Sequence, residues 1–460
     1  MKLKGEKKRK TELLPIILTS VLFVALISIT VALIVELSSS SEDRRGDFDM
    51  GMIMSDGTEY EDISDMLVPE FIGITSDGTR KGITASAKIV KDIFRMISPT
   101  IACIFEKNDF VECSDEDWNA LTKLEDTVYV RLHSELPTEV LKMFVSMLDG
   151  DTLQFGNDTS LVYEMFIIPY SEKSDTVRLY IRSLDGEVRL YSANKPEKYI
   201  SESEISRIIE SYSQSLSAFC FSEDEYESLS FTEPILEEGI QASRIIITNK
   251  TSEYVYDMHG GVDTVLEVFG MNPDKVMASN NDDDSSTGYI DSRGAFYVRD
   301  SAFEYRSTVD GGIPISKFIG YTPVGEMTYI DCIRAACTLF RGIRKTDKLF
   351  AGNNADAYVS YVSAENGRMT VELSYCFNNI QITDTDPALH AVFENGTMRE
   401  ANINTVSVTA WNEKSVTSNE FGFADYLVRK GIKAYNVSTK YRADFSADFV
   451  NAEWIAECIE

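Results

Sequence analysis

Twenty-three consecutive residues, Leu13 to Val35 (LLPIILTSVLFVALISITVALIV), carry no charge. As a helix rising ~1.5 Å per residue, this run reaches ~35 Å, enough to cross a hydrocarbon core ~30 Å thick. Pro15 falls in the first turn, where its missing N–H costs little. The run is long for a signal-peptide core, and Glu36-Leu37-Ser38-Ser39-Ser40 after it lacks a small-x-small cleavage pattern. An uncleaved transmembrane helix is therefore expected over residues 13–35, with a cleaved signal as the alternative.

Charge sets the expected orientation. Residues 1–12 carry six Lys/Arg against two Glu, a net of +4. Cationic flanks stay on the cytoplasmic side, so the tail is expected inside and the remaining domains in the extracytoplasmic space. Removing that tail from the chain's 44 Lys+Arg and 74 Asp+Glu leaves 38 against 72, a net charge of −34. Such a surface repels nucleic acid and anionic headgroups, so no nucleic-acid partner is expected. Hydrophobic residues make up 43% of the chain and prolines number only 11, which describes folded domains and not a disordered stalk.

Residues 36–65 are Ser-, Asp- and Gly-rich and read as a juxtamembrane linker. From residue 66 to 220, helical and strand patterns alternate, as in an α+β domain with an antiparallel sheet. Ala85–Ile97 places Ile89, Ile93 and Met96 at helical spacing. Ser114 followed by Asp117, and the Ser/Glu-rich start of Ser201–Tyr212, are helix N-terminal signatures. Thr127–His133 alternates like a half-buried strand, and Val162–Ile168, Thr176–Ile181 and Glu187–Tyr191 read as further strands.

The C-terminal half is expected to hold two similar αβ units, 221–345 and 346–460. In the first, strand Arg244–Thr248, helix Val262–Phe269, a hairpin turning at Asp291-Ser292-Arg293-Gly294, and helix Met327–Ile343 follow in order. In the second come Ala357–Ser363, Thr370–Cys376, Leu389–Phe393 with an Asn395-Gly396 turn, Val406–Trp411, a helix around Asn419–Arg429, and strands near Arg442–Phe445 and Glu453–Ala456. Asn280–Asp284 reads as a solvated loop.

Chemistry-bearing residues are sparse. The seven cysteines (103, 113, 220, 332, 337, 376 and 458) are odd in number and form no C-x-x-C pair. Buried thiols are expected, with a single bridge as the alternative. His133, His259 and His390 lie far apart, and His133 reads as a structural histidine in a strand. No zinc-ligand spacing, nucleophile elbow, Walker A or dinucleotide fingerprint occurs, so neither an enzyme nor a cofactor is expected. Asp282-Asp283-Asp284 and the D-x-D at Asp384 and Asp386 lack the calcium-loop glycine and glutamate, and read as loops. Within the anchor, Ala25, Ser28 and Ala32 share one face, the small-residue spacing that lets helices pack closely in lipid.

Several segments together resemble the YycH/YycI family of membrane-anchored regulators. Met66–Ile72 resembles the start of that family's outer region. Val128-Tyr129-Val130-Arg131 followed by Glu135-Leu136-Pro137 resembles a YycH strand and turn. Gly288–Asp291, Phe296–Val298 and Phe303–Tyr305 are similar to a tyrosine-rich passage, and Leu373–Ile382 to a closing Y-x-x-N-g-i-p-i pattern, with Trp454 near the family's terminal tryptophan. Asn379 stands where the family has glycine, and Gln381 where it has proline. The resemblance implies a non-enzymatic regulator that binds a sensor histidine kinase of a cell-envelope two-component system, together with a paralogous partner. An extracytoplasmic enzyme or ligand-binding module, or a structural envelope component, is the alternative.

Overall fold

The computed structural model describes residues 63–458 except for 107–108, 150–159, 172–174, 195, 223–233, 250–260, 282–285, 300, 324, 326, 347–352, 418–419 and 433. The expected anchor Leu13–Val35, with Ala25, Ser28 and Ala32, lies outside the described residues. Among those described, no helix is long and apolar enough to cross a membrane. They all belong to one compact unit, Thr58–Glu460. It is a mixed α+β structure of antiparallel sheets and helices.

The first sheet is built from β1 (Pro69–Ser76), β2 (Thr79–Ile83), β3 (Phe110–Cys113), β4 (Thr127–Pro137) and β5 (Leu161–Ile168). To these it adds β6 (Thr176–Arg182), β7 (Val188–Asn194), β8 (Ser217–Phe221) and β9 (Pro234–Leu236). Their spatial order is β3-β7-β6-β5-β4-β1-β2-β8-β9. Between them run α1 (Ala87–Phe105), α2 (Asp115–Leu121), α3 (Thr138–Asp149) and α4 (Glu202–Tyr212).

Local chemistry explains most of these elements. Ser114 and Ser201 each accept the backbone N–H three residues on, and Asp117 and Glu204 return the bond, closing two capping boxes. Asp77-Gly78, both at positive φ, turns β1 into β2 with Ser76 opposite Thr79. The helix expected at 85–97 exists but runs on through Pro99 to Phe105, and it buries a different face. Val90, Ile93, Ile97, Ile101 and Ile104 face the core, whereas Met96 is 53% exposed. The longer apolar series sets the face. Strand β4, expected to be half-buried, is buried along both faces from Thr127 to His133. Helices α1 and α3 cover one side, and the other meets an aromatic layer of Phe71, Tyr129, Phe166, Phe219 and Phe221 with Trp118 of α2.

The remaining strands begin with β10 (Gln241–Asn249). A twelve-stranded sheet takes in β11 (Met277–Asn281), β12 (Ser286–Ile290), β13 (Gly294–Val298), β14 (Ala302–Ser307) and β15 (Ile313–Pro314). It continues with β16 (Asp356–Glu365), β17 (Arg368–Phe377), β18 (Ile380–Thr383), β19 (Leu389–Glu394) and β20 (Thr397–Asn404). Strand β21 (Val406–Val416) pairs with β10 as a separate ribbon, while β22 (Ala434–Arg442) and β23 (Ala452–Cys458) close the large sheet. All its pairs are antiparallel except β18 with β22. Helices α5 (Gly261–Val268), α6 (Ser316–Ile319), α7 (Tyr329–Arg344) and α8 (Glu420–Lys430) accompany it.

The hairpin at Asp291–Gly294 forms as expected, with Asp291 Oδ1 accepting the N–H groups of Arg293 and Gly294. Asn395-Gly396 also turns as expected, with both residues at positive φ. Strand β14 of segment 221–345 hydrogen-bonds to β20 of segment 346–460, so the two expected units share one sheet.

Three boundaries differ from expectation. At the end of the expected linker 36–65, Ile63 is buried and Asp65 pairs with Arg341 of α7, so these residues pack with the folded body. The strand expected at Arg442–Phe445 lies earlier, at Ala434–Arg442, because Asp444 folds the following residues into a turn by accepting the Ser446 N–H and hydroxyl. Asn280 and Asn281 end β11 and do not form a loop, while Asp282–Asp284 lie outside the described residues.

Candidate functional site

Among the described residues, polar side chains gather at a buried joint between the sheets and at an open cleft beside α1 and α4.

The joint starts from alternation along β4. Tyr129, Arg131 and His133 point to one face, opposite the face that Val128, Val130 and Leu132 give to the helices. Cross-strand pairing then lines up Arg131 with Glu164 on β5, and Glu164 with Arg182 on β6. Glu164 accepts the Tyr129 hydroxyl at 2.6 Å and lies 3.9 Å from Arg182. Burial pushes its carboxyl above the ordinary value, against the pull of Arg182, Tyr129 and Arg131. Arg131 makes an ion contact with Glu70 at 3.1 Å, and it also donates to the Val437 carbonyl of β22 at 3.2 Å. This places charged groups in the interior in mutually compensating pairs, the condition under which buried charge is tolerated.

Asn379 completes the joint. Asn378 and Asn379, both at positive φ, form the two-residue turn between β17 and β18. The Asn379 side chain, 1% exposed, donates to the carbonyls of Thr84 at 2.8 Å, Pro69 at 2.9 Å and Glu70 at 3.3 Å. A hairpin of the large sheet is thereby tied to the first. With its amide nitrogen so used, Asn379 Oδ1 accepts from His133 Nε2 at 3.3 Å, which fixes the His133 tautomer and leaves Nδ1 as a buried acceptor without a partner among the described residues. The imidazole stacks on Tyr358 of β16, centroids 4.4 Å apart. Burial holds its pKa below the usual histidine value, with Lys440 and Arg131 acting the same way and Glu70 and Asn379 opposing. The expectation of a structural His133 agrees with this placement. These contacts tie the large sheet to the first.

The cleft encloses about 800 Å3. Its wall on α1 is Met96, Pro99 and Thr100, and its opposite wall is the segment leading into α4. Tyr170 N–H donates to the Ile200 carbonyl at 2.9 Å, which docks that segment onto the end of β5. The Tyr170 and Tyr199 rings then meet at 4.4 Å, inclined by 37°. Glu197, Lys198, Glu202 and Arg207 line the cleft as exposed side chains. Glu204 is not available to a ligand in the same way, since it accepts the Ser201 N–H at 2.8 Å in the capping box.

Sequence reading had found the Ser201 cap but not the cleft, because its two walls are separated by about 100 positions in the chain. Of the acidic loops considered for metal, Asp384 is paired with Arg442 at 2.8 Å. Among the described residues, no group of three or more His, Cys, Asp or Glu side chains is placed to hold an ion. Cys332, Cys337 and Cys376 are buried thiols, and Cys103, Cys113 and Cys220 are half-buried ones. His390 pairs with Glu372 on the neighbouring strand at 2.8 Å, and His259 lies outside the described residues.

No protein family and no curated protein matches the sequence. Among solved structures, the chain is similar to an uncharacterized protein from Eubacterium rectale, at 10% identity and a TM-score of 0.32, over 52% of this chain and 84% of that one.

Proposed function

We propose that the chain is a single-pass membrane-anchored regulator, with residues 1–12 in the cytoplasm, Leu13–Val35 across the membrane and the folded body outside the cell. In this reading it acts by binding and not by catalysis. Its partner is a sensor histidine kinase of a cell-envelope two-component system, engaged alongside a paralogous regulator of the YycH/YycI type. The observation that carries the reading is the uncharged 23-residue run behind a basic tail, ahead of a body with a net charge of −34. Ala25, Ser28 and Ala32 supply the face that packs on the kinase's transmembrane helices, and a change outside biases the kinase through differential contacts with its two states. Segments 221–345 and 346–460 are read as similar αβ units on the order of their elements.

The test is co-purification of the tagged full-length protein from membranes, compared with Ala25→Leu/Ser28→Leu/Ala32→Leu at equal expression. A histidine kinase recovered with wild type and lost from the triple variant is the expected result. Wild type that brings down no kinase, under conditions preserving a known membrane complex, overturns the reading. A second reading, an extracytoplasmic ligand-binding module, is favoured by the cleft, whose volume of about 800 Å3 falls in the range of small-molecule sites.

A further inference from the structure

The imidazole of His133 sits where the two sheets meet, and its surroundings suit it only while it is neutral. Nε2–H is spent on Asn379 Oδ1 at 3.3 Å, and Nδ1 has no partner among the described residues. A proton added at Nδ1 would point at no acceptor in a buried place. Charged groups reach the ring from three strands: Glu70 of β1, Arg131 of β4 itself and Lys440 of β22. An imidazolium would join Arg131 and Lys440 as a third cation, with Glu70 already engaged by Arg131 at 3.1 Å. Glu164 of β5 is committed to Tyr129 and Arg182. Tyr358, stacked on the ring, stays neutral because burial pushes its hydroxyl well above the usual value.

The large sheet supplies most of what surrounds the ring: Asn379 in the β17–β18 turn, Tyr358 on β16 and Lys440 on β22. Bringing water to a charge at His133 therefore means drawing these strands away from β4 and β1. Elsewhere α3 packs on α7 and Ser64–Met66 on β16, contacts that do not involve His133 and keep the body joined. We propose that the joint is a proton-sensitive latch: a charged imidazole at His133 releases the β17–β18 turn from β1 and β4 and parts the two sheets locally, without unfolding the body. That acidification is then the outside change that biases the kinase rests on the regulator reading given above. In the open joint the ring titrates at the ordinary histidine value of about 6.5, whereas the closed ring stays neutral to lower pH. The open state thus gains population as pH falls below that value, by about twentyfold between pH 7 and 5.

Cys376 reports the opening. It pairs with Asp356, two residues from Tyr358, so it lies on the face of the large sheet that meets His133, and it is buried. Cys332 and Cys337, buried in α7, are the reference thiols. The full-length protein in detergent is labelled with dithiodipyridine at pH 7 and 5, and the rate at each thiol is read by mass spectrometry of its peptide. Each rate is divided by that of the urea-unfolded chain at the same pH, which cancels the thiol's own titration. The expected result is a relative rate at Cys376 that rises about twentyfold at pH 5, while Cys332 and Cys337 change far less. His133→Gln, which keeps a neutral donor toward Asn379, flattens the rise. No rise at Cys376 in wild type overturns the latch. So does an equal rise at all three thiols, which means global unfolding, or a rise undiminished in His133→Gln. The wild-type comparison of the three thiols decides the matter even where the variant fails to fold. Kinase co-purification separates the two proposals. Kinase recovered by a protein whose Cys376 rate ignores pH leaves the regulator without the latch. A pH-dependent Cys376 in a protein that recovers no kinase supports the latch and removes its link to a kinase.

Discussion

Replacing Asn379 by glycine keeps the turn and removes the tie between the sheets. Glycine adopts positive φ without strain, so the β17–β18 hairpin itself is not penalised. What disappears are two amide hydrogens shared among three carbonyls, at 2.8, 2.9 and 3.3 Å, in a buried site. Each donor contributes about 0.5–1.5 kcal/mol net, so together they contribute about 1–3 kcal/mol. The Thr84 carbonyl keeps the Ser86 N–H as a second partner, which favours the lower half of that range. His133 Nε2–H also loses its acceptor. Asn378→Gly is the matched control, because it changes the same turn and the same unfolded-state entropy. Its side chain makes only exposed contacts, at 3.4 and 3.5 Å. Urea unfolding of the full-length protein in detergent, followed by tryptophan fluorescence, reads the joint through the buried Trp118 and Trp454. Adding the cost of the stranded His133 N–H, the expected outcome is a loss of about 2–3 kcal/mol for Asn379→Gly beyond that of Asn378→Gly. Equal midpoints for the two variants refute the claim that this side chain holds the sheets together.

Two further outcomes follow from the same interior. His133 has a folded pKa below its unfolded value of about 6.5, so the unfolded chain binds the extra proton first and stability present above that pH is lost as pH falls below it. Unfolding midpoints of wild type drop between pH 7 and 5, and His133→Phe, which keeps a ring on Tyr358, has a flatter profile; parallel profiles refute the assignment. Gly82 pairs with Gly73 under the rings of Phe71 and Phe219, and a Cβ there comes within 2.5 Å of Phe71 Cζ. Gly82→Ala therefore costs about 1–3 kcal/mol in the same urea assay, and a change below about 0.5 kcal/mol shows that the aromatic layer yields more easily than its burial suggests.

What sequence could show was local. Capping boxes at Ser114 and Ser201, and hairpins at Asp291–Gly294 and Asn395-Gly396, depend on residues within four positions of one another. The same signal was present at Asp77-Gly78 and Asn366-Gly367, which also sit at positive φ between paired strands and went unread. The α1 face was misplaced because a 13-residue window ended before Ile101 and Ile104 could outweigh Met96. The joint was out of reach for another reason. Glu70, Arg131, Tyr358 and Asn379 meet only after β4 and β16 pack together, and nothing in their spacing couples them. One trace did exist: Arg131 and His133 share a face of β4 with Tyr129, and three polar-tipped residues in a row on one strand face mark an interior polar contact or a site.

The two halves of that face hold the strands of the first sheet together in different ways. Toward β2, β8 and β9 the contact is aromatic, with Phe71 meeting Phe219 edge-on at 5.5 Å and Phe221 reaching Tyr129 at 5.6 Å. Contacts of this kind contribute through area and tolerate sliding, because one apolar surface serves nearly as well as another. Along Glu70, Arg131, Glu164 and Arg182 the contact is charged, and a shift of one residue would strand an ion in the interior at a cost of several kcal/mol. Asn379 adds two directional donors, shared among three carbonyls of β1 and the residue just beyond β2. Within the first sheet the polar row thus selects the strand register in which each buried charge meets its counterpart, while Arg131, His133 and Asn379 carry the contacts to the large sheet.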